Sequence, residues 1–362
     1  MNGVDISKKV FIIAEAGVNH NGDINLACKL VDIAKEAEVD AIKFQTFKTE
    51  KVISKYAAMA SYQKKNLSTT ESQYEMAKKL ELSYKEFKKL KDYCDEIEIM
   101  FLSTPDEEYS LNFLVDELNI SFVKIGSGEV TNLPYLRKIA AKNKPLIMST
   151  GMANLGEVEE AINTIRSVNS EAKISLLHCT TNYPTPYEKA NLKAMQTLAN
   201  AFKLPVGYSD HTLGIEVPVA AVAMGAKIIE KHFTLDKNLP GPDHKASLEP
   251  GELKEMVKAI INIEMALGYG IKRPNKSEIE IMKVARRSLI ATRDIRAGEV
   301  IKESDIAIKR PGTGILPKFK DIIIGMELIN DIRQDEPFRW ENFKWFLKNA
   351  KKVKYLLKPT LL

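Results

Sequence analysis

Eight short apolar runs punctuate the first two thirds of the chain. Each ends in small or polar residues, and each is followed by a stretch of helical periodicity. They lie at 10–16 (VFIIAEA), 40–47 (DAIKFQTF), 98–104 (EIMFLST), 120–127 (ISFVKIGS), 145–151 (PLIMSTG), 174–181 (ISLLHCTT), 205–211 (PVGYSDH) and 226–233 (AKIIEKHF). Strand and helix alternating in this rhythm over roughly 250 residues predict an α/β fold, a (β/α)8 TIM barrel. Between the runs, Leu26, Leu30, Ile33, Ala34 and Ala37 fall at helical spacing, as do Met256, Ile260, Ile263 and Leu267. These stripes are packing faces.

The barrel reading covers 1–270. Residues 49–82 exceed a minimal connection and predict a helical excursion on the strand-end face, either covering the site or adding bulk. Residues 271–285 are polar and read as a linker. From 286 to 348 the pattern becomes β-like, with runs at 288–291, 307–310 and 322–325 and turns at Ala297-Gly298 and Pro311-Gly312. A small β-rich domain follows from this, with a tail at 349–362.

Composition excludes several classes. The formal charge of +5 arises from 53 basic and 48 acidic residues mixed along the chain, which offers no footprint for nucleic acid or membrane. No apolar stretch approaches the roughly 20 residues needed to span a bilayer, and the N-terminus lacks a signal-like apolar region. Cys28, Cys94 and Cys179 have no paired spacing, which predicts a reducing, cytoplasmic setting.

In a barrel the C-terminal strand ends face the substrate, so polar residues within the runs are the site candidates. They are Glu15, Lys43 with Gln45 two positions on, Lys124, Ser127 and Glu129, Ser149, Tyr183 after the sixth run, Ser209-Asp210-His211, and Glu230 with His232. A lysine in a buried strand needs a partner. Lys43 and Lys124 with nearby hydroxyls and glycines suit an anion; the alternative is internal pairing with Glu15, Glu129 or Glu230. His211 and His232 end adjacent strands and could share a divalent metal completed by water, flanked by Asp210 and Glu230. His20, His178 and His244 are weaker candidates, and Asp243 reads as a turn residue.

The ordered motifs Ala14 through His20, Ile42-Lys43-Phe44-Gln45-Thr46, Lys124 through Glu129, Ser149 through Met152, Tyr183-Pro184-Thr185-Pro186, Ser209 through Thr212 and Glu230 through Thr234 resemble the sialic acid synthase family. Arg310-Pro311-Gly312 resembles part of its antifreeze-like, or SAF, domain, and the likeness spans roughly 10–345. Phe44-Gln45-Thr46-Phe47, Tyr62-Gln63-Lys64-Lys65 and Arg286-Arg287-Ser288-Leu289 are more similar to the legionaminic-acid branch. Thr181-Asn182-Tyr183 stands where neuraminate synthases carry Asn, an aliphatic residue and Tyr, so a substrate contact differs there.

The resemblance implies condensation of phosphoenolpyruvate with an N-acetylated mannose-type sugar, assisted by Mn2+ or a similar cation (Mg2+ or Co2+). It implies a phosphoenolpyruvate cradle of Lys43, Lys124, Ser127, Ser149 and Ser209, a metal on His211 and His232, and sugar contacts from Gln45, Tyr183 and Asp243. Glu15, Glu129, Lys124, Asp210 and Glu230 are the expected catalytic groups. Arg310 is expected to reach the barrel of a second copy in a domain-swapped homodimer. A metal aldolase acting on pyruvate and a carbohydrate- or ice-binding module are the competing readings.

Overall fold

The computed structural model describes residues 9–59 and 71–344. The Tyr62–Lys65 motif, the 349–362 tail and most of the N-terminal segment before the first run lie outside the described residues. By internal packing the chain divides into one unit ending at Gly268 and a second starting at Tyr269.

In the first unit, eight parallel strands carry the eight runs: β1 (Phe11–Gly17), β2 (Ala41–Thr46), β3 (Met100–Pro105), β4 (Val123–Ile125), β5 (Leu146–Ser149), β6 (Ile174–His178), β7 (Val206–Asp210) and β8 (Ile228–His232). Their order is β3-β2-β1-β8-β7-β6-β5-β4, and β3 also lies beside β4 without a hydrogen-bonded ladder. This is the TIM-like barrel that the runs predict, laddered at every junction except that one.

Side chains alternate between the two faces of each strand. One parity of β1, β2, β3, β4, β5, β6 and β8 builds an apolar floor inside the barrel from Phe11, Ile13, Ala41, Leu102, Phe122, Ile147, Leu177 and Ile228. The opposite parity, including Ile12, Ile42, Phe101, Val123, Leu176 and Ile229, packs outward against helices such as Ile24–Glu36 and Pro250–Leu267. Above the floor the inward column turns polar, which sets the position of the site.

Two helices of the 49–82 segment, Thr49–Val52 and Gln73–Leu80, pack with the barrel mouth: Met76, Ala77 and Leu80 join Val18, Phe47 and Met59 in a separate apolar cluster. A capping box between Ser72 and Glu75 starts the second of these helices, each side chain bonding the other's backbone.

The second unit has its own core, built on Leu289, Ile295, Ile301, Ile323, Leu328, Phe338 and Phe343. Strands β9 (Ser288–Ala291) and β10 (Ile306–Lys309) pair antiparallel. The expected β run at 322–325 is instead occupied by the helix Lys320–Ile323, entered from a turn that begins at Pro317. Only Ile323 is buried there, while Ile322 is exposed, so that apolar run marks a helical turn with one anchor. The expected linker likewise contains a helix, Lys276–Ala285, nucleated by a capping box of Asn275 and Glu278. No helix among the described residues is long and apolar enough to cross a membrane.

Candidate active site

Strand register brings the polar positions of neighbouring runs side by side. Glu15 pairs with Lys43 of β2 and with His232 of β8, and Ser209 pairs with Glu230. The result is a cavity of about 200 Å³ above the apolar floor. Its walls include Glu15, Lys43, Lys124, Ser127, Ser149, Ser209, His211, Glu230 and His232.

Both lysines are buried, and both are paired as well as turned to the cavity. Lys43 Nζ lies 2.6 Å from Glu15 Oε2 and 3.6 Å from Glu230 Oε2, and donates to Thr104 Oγ1 at 3.1 Å. Lys124 Nζ donates to Ser149 Oγ at 2.8 Å and lies 3.6 Å from Glu230 Oε1. Glu230 thus sits between two ammonium groups and also accepts from Ser209 Oγ at 2.8 Å. Of the two readings of these lysines, internal pairing is the one present, with Glu15 and Glu230 as the partners and not Glu129.

The electrostatics separate the two central carboxyls. Burial pushes Glu15 up to about 7, against the pull of Lys43. Burial works the same way on Glu230, but Lys124, Lys43 and the Ser209 hydroxyl outweigh it and hold Glu230 down at about 2. Of the lysines, Lys43 is raised because Glu15 and Glu230 outweigh its desolvation, whereas burial lowers Lys124. One carboxyl is poised to exchange a proton near neutrality while the other stays a fixed negative charge.

His211 and His232 face each other with ring centroids 5.5 Å apart, and the Tyr183 ring lies 4.1 Å from His211. Burial lowers both imidazoles, His232 strongly, so both are neutral, the form that ligates metals. His211 Nδ1 is engaged by Thr180 O at 2.7 Å, while the buried His232 Nδ1 has no hydrogen-bond partner. A buried orphan nitrogen beside a second neutral imidazole fits a divalent cation. Among the described residues no group of three or more His, Cys, Asp or Glu could hold one, so these two donors would leave coordination positions to water and substrate.

Gly17 closes this side of the cavity. Its φ of +53° is left-handed backbone, and a Cβ there would lie 3.2 Å from Glu15 Oε1 and 3.4 Å from His232 Cε1. Glycine satisfies both the turn and the close approach.

Other candidates fall elsewhere. Asp210 was expected at the chemistry, but it has the outward parity of β7: its carboxylate binds Lys231 and accepts from Thr212 N at 3.0 Å, with Asp210 and Lys231 both fully buried. It is a structural ion pair. Asp210→Ala is expected to destabilise the barrel by about 3–5 kcal/mol in urea unfolding, because Lys231 would remain buried and uncompensated. Glu129 lies outside the cavity wall and accepts from Asn132 Nδ2 at 2.6 Å. Asp243 borders an annex next to the main cavity, where burial pushes it up to about 6.

His20, His178 and His244 are engaged away from the cavity by Gly22 N, Ala190 O, and Thr234 with Asn21, respectively. Arg310, in the second unit, donates from Nε to Ala285 O at 3.1 Å. Thr104 and Asp106, both in the cavity wall, are not among the residues expected from the sequence, and Cys179, near the end of the sixth run, had no role assigned to it. Thr104 and Cys179 share the inward parity of their neighbours, which is the signal that could have found them.

A cavity lined by two lysines, serine hydroxyls and two neutral imidazoles fits an enzyme that acts on an anionic small molecule. The comparisons agree. A model described as the NeuB family matches residues 30–272, and a SAF domain model matches 286–344. The chain is 52% identical over 333 residues to the N,N'-diacetyllegionaminic acid synthase of Campylobacter jejuni, covering 92% of this chain and 99% of that one. It is 49% identical to the synthase of the same name from Legionella pneumophila, covering 93% and 96%. A solved N-acetylneuraminic acid synthetase from Leptospira borgpetersenii, in complex with citrate, is 38% identical with a TM-score of 0.66, covering 76% of this chain and 90% of that one. The chain belongs to the NeuB family.

Proposed function

We propose that the enzyme condenses phosphoenolpyruvate with 2,4-diacetamido-2,4,6-trideoxymannose, giving a legionaminic-type nonulosonic acid and phosphate. The observation that carries this reading is Glu230 held between Lys43 and Lys124, beside Ser149 and Ser209. The lysines supply positive charge to a phosphate and carboxylate, and Glu230 keeps them oriented before substrate arrives. Ser127 adds a hydroxyl whose oxygen is fixed by Gly151 N at 3.0 Å.

In the balanced reaction, C3 of phosphoenolpyruvate bonds to the aldehyde carbon, water adds at C2, and the C2–O bond to phosphate breaks. Glu15, with its carboxyl near neutrality, is the group of this site suited to take or return the proton of water or sugar hydroxyl. Glu129, assigned that step by family likeness, would act from the rim. Gln45, Tyr183 and Asp243 would orient the sugar. His211 and His232 would hold a divalent cation, Mn2+ in this proposal, which supplies Lewis-acid polarisation of the aldehyde when bound. A homodimer in which Arg310 of a second copy completes the sugar site belongs to the same proposal.

Phosphate release measured with this sugar, with N-acetylmannosamine and with its 6-phosphate tests the reading. The diacetamido sugar is expected to give the highest kcat/KM, chelation by EDTA to stop turnover, and pyruvate to fail as donor. Product from pyruvate would favour a metal aldolase instead. Gly151→Ala is expected to raise KM for phosphoenolpyruvate about tenfold, the scale of an overpacked site. The added Cβ would lie 2.3 Å from Thr181 Oγ1 and 2.9 Å from Ser127 Oγ, forcing the Ser127 hydroxyl from its place.

A further inference from the structure

The end of β3 carries an acidic group that the chemistry above leaves unused. Asp106 follows Pro105, its backbone N–H donating to Thr46 O at 3.2 Å. No donor among the described residues hydrogen-bonds its carboxylate. Burial first, then the charge of Glu129, push that carboxyl up to about 7, with Lys43 and Lys124 only partly offsetting them. An acceptor without a donor, opening onto a cavity, is a group awaiting a ligand.

Its position says which part of a ligand it meets. Asp106, Gln45, Tyr183 and His232 line both the main cavity and the annex of about 190 Å³ beside it, so these four form the neck between them. Beyond the neck most of the lining residues are apolar, among them Val18, Phe47, Ile53, Met76 and Leu80, with Gln73 and Asp243 as the polar ones. Among the described residues no lysine or arginine lines it, and its charged groups are the carboxyls of Asp106 and Asp243. The lining lysines among the described residues, Lys43 and Lys124, belong to the main cavity and not to the annex.

From this we infer that the annex receives the far half of the sugar, and that Asp106 determines specificity by accepting a hydrogen bond from the second acetamido N–H. The inference rests on the substrate reading above and deepens it. An aldehyde at His211 and His232 sends the rest of the sugar through the neck. An amide N–H satisfies the unpartnered carboxylate, and the acetyl and C6 methyl groups bury against the apolar wall. A 6-phosphate would meet the two carboxyls and, among the described residues, no cation, so the same annex disfavours it.

The experiment compares wild type, Asp106→Asn and Asp106→Ala. Phosphate release is assayed with phosphoenolpyruvate, Mn2+ and each of the three sugars. Asp106→Ala is expected to raise KM for the diacetamido sugar about tenfold or more, the scale of a hydrogen bond to a charged group, with KM for phosphoenolpyruvate unchanged. Asp106→Asn keeps the volume and a neutral acceptor, so its KM lies between the two. Both variants narrow the discrimination against the 6-phosphate. Unchanged sugar KM in both variants overturns the inference, as does a rise in KM for phosphoenolpyruvate alongside an equal loss with every sugar. Failure of the substrate reading shows separately, as wild type that does not turn over the diacetamido sugar. The variant-to-wild-type KM ratio on whichever sugar is accepted then still decides the role of Asp106.

Discussion

Replacing Lys124 with alanine is expected to lower kcat/KM for phosphoenolpyruvate by roughly 30-fold to several thousand-fold, the equivalent of about 2–5 kcal/mol for one partner of a buried charge pair. Two losses combine. The ammonium group that would meet the anion disappears from a position only 2.8 Å from Ser149 Oγ. Glu230 also loses one of the two cations that hold it ionised, leaving Lys43 at 3.6 Å and the Ser209 hydroxyl. A negative charge less well compensated then faces an incoming anion. Steady-state kinetics with phosphoenolpyruvate varied would show this chiefly in KM, and circular dichroism would verify that the barrel persists. Lys124→Arg is not expected to rescue, because a planar guanidinium does not replace an ammonium fitted between Ser149 Oγ and Ile125 O. An unchanged KM for phosphoenolpyruvate would remove the lysine cradle from the account.

His232→Ala carries the other large effect. The ring is buried, its Nδ1 has no hydrogen-bond partner, and its centroid lies 5.5 Å from that of His211. With only His211 remaining, cation affinity is expected to fall below detection by calorimetric titration with Mn2+, and turnover to drop by about 10²–10³ or more. Phosphoenolpyruvate binding in the absence of metal should persist, since the lysines and serines are on other walls. Retained Mn2+ affinity would show that the two imidazoles are not the metal donors. Calorimetry gives this answer independently of activity.

Much of the site was legible because a strand's period of two is unforgiving. Phe11, Ile13 and Glu15 form one inward column of β1, and Ile228, Glu230 and His232 another in β8. An apolar floor beneath polar tops can be read straight from the letters. Asp210 shows how that reading slips: it neighbours Ser209 in sequence, but parity sends it outward to Lys231, where it stabilises the fold. Asp106 was invisible for another reason. It lies just past the end of β3, where alternation stops, and its importance comes from two cavities meeting there.

The sequence by itself determined the strand rhythm, the inward column of cations, hydroxyls and imidazoles, and the change of pattern into a second unit. Those are local properties, since periodicity and residue chemistry are carried along the chain. Only the tertiary structure decided that Glu15 and Glu230 share Lys43 yet titrate at opposite ends of their range, because burial and charge depend on neighbours brought by other strands. It likewise decided that the helices of the 49–82 segment wall an annex beside the site. It left the Asp106 carboxylate without a hydrogen-bond donor among the described residues at the neck, a fact about space that no pattern of letters records.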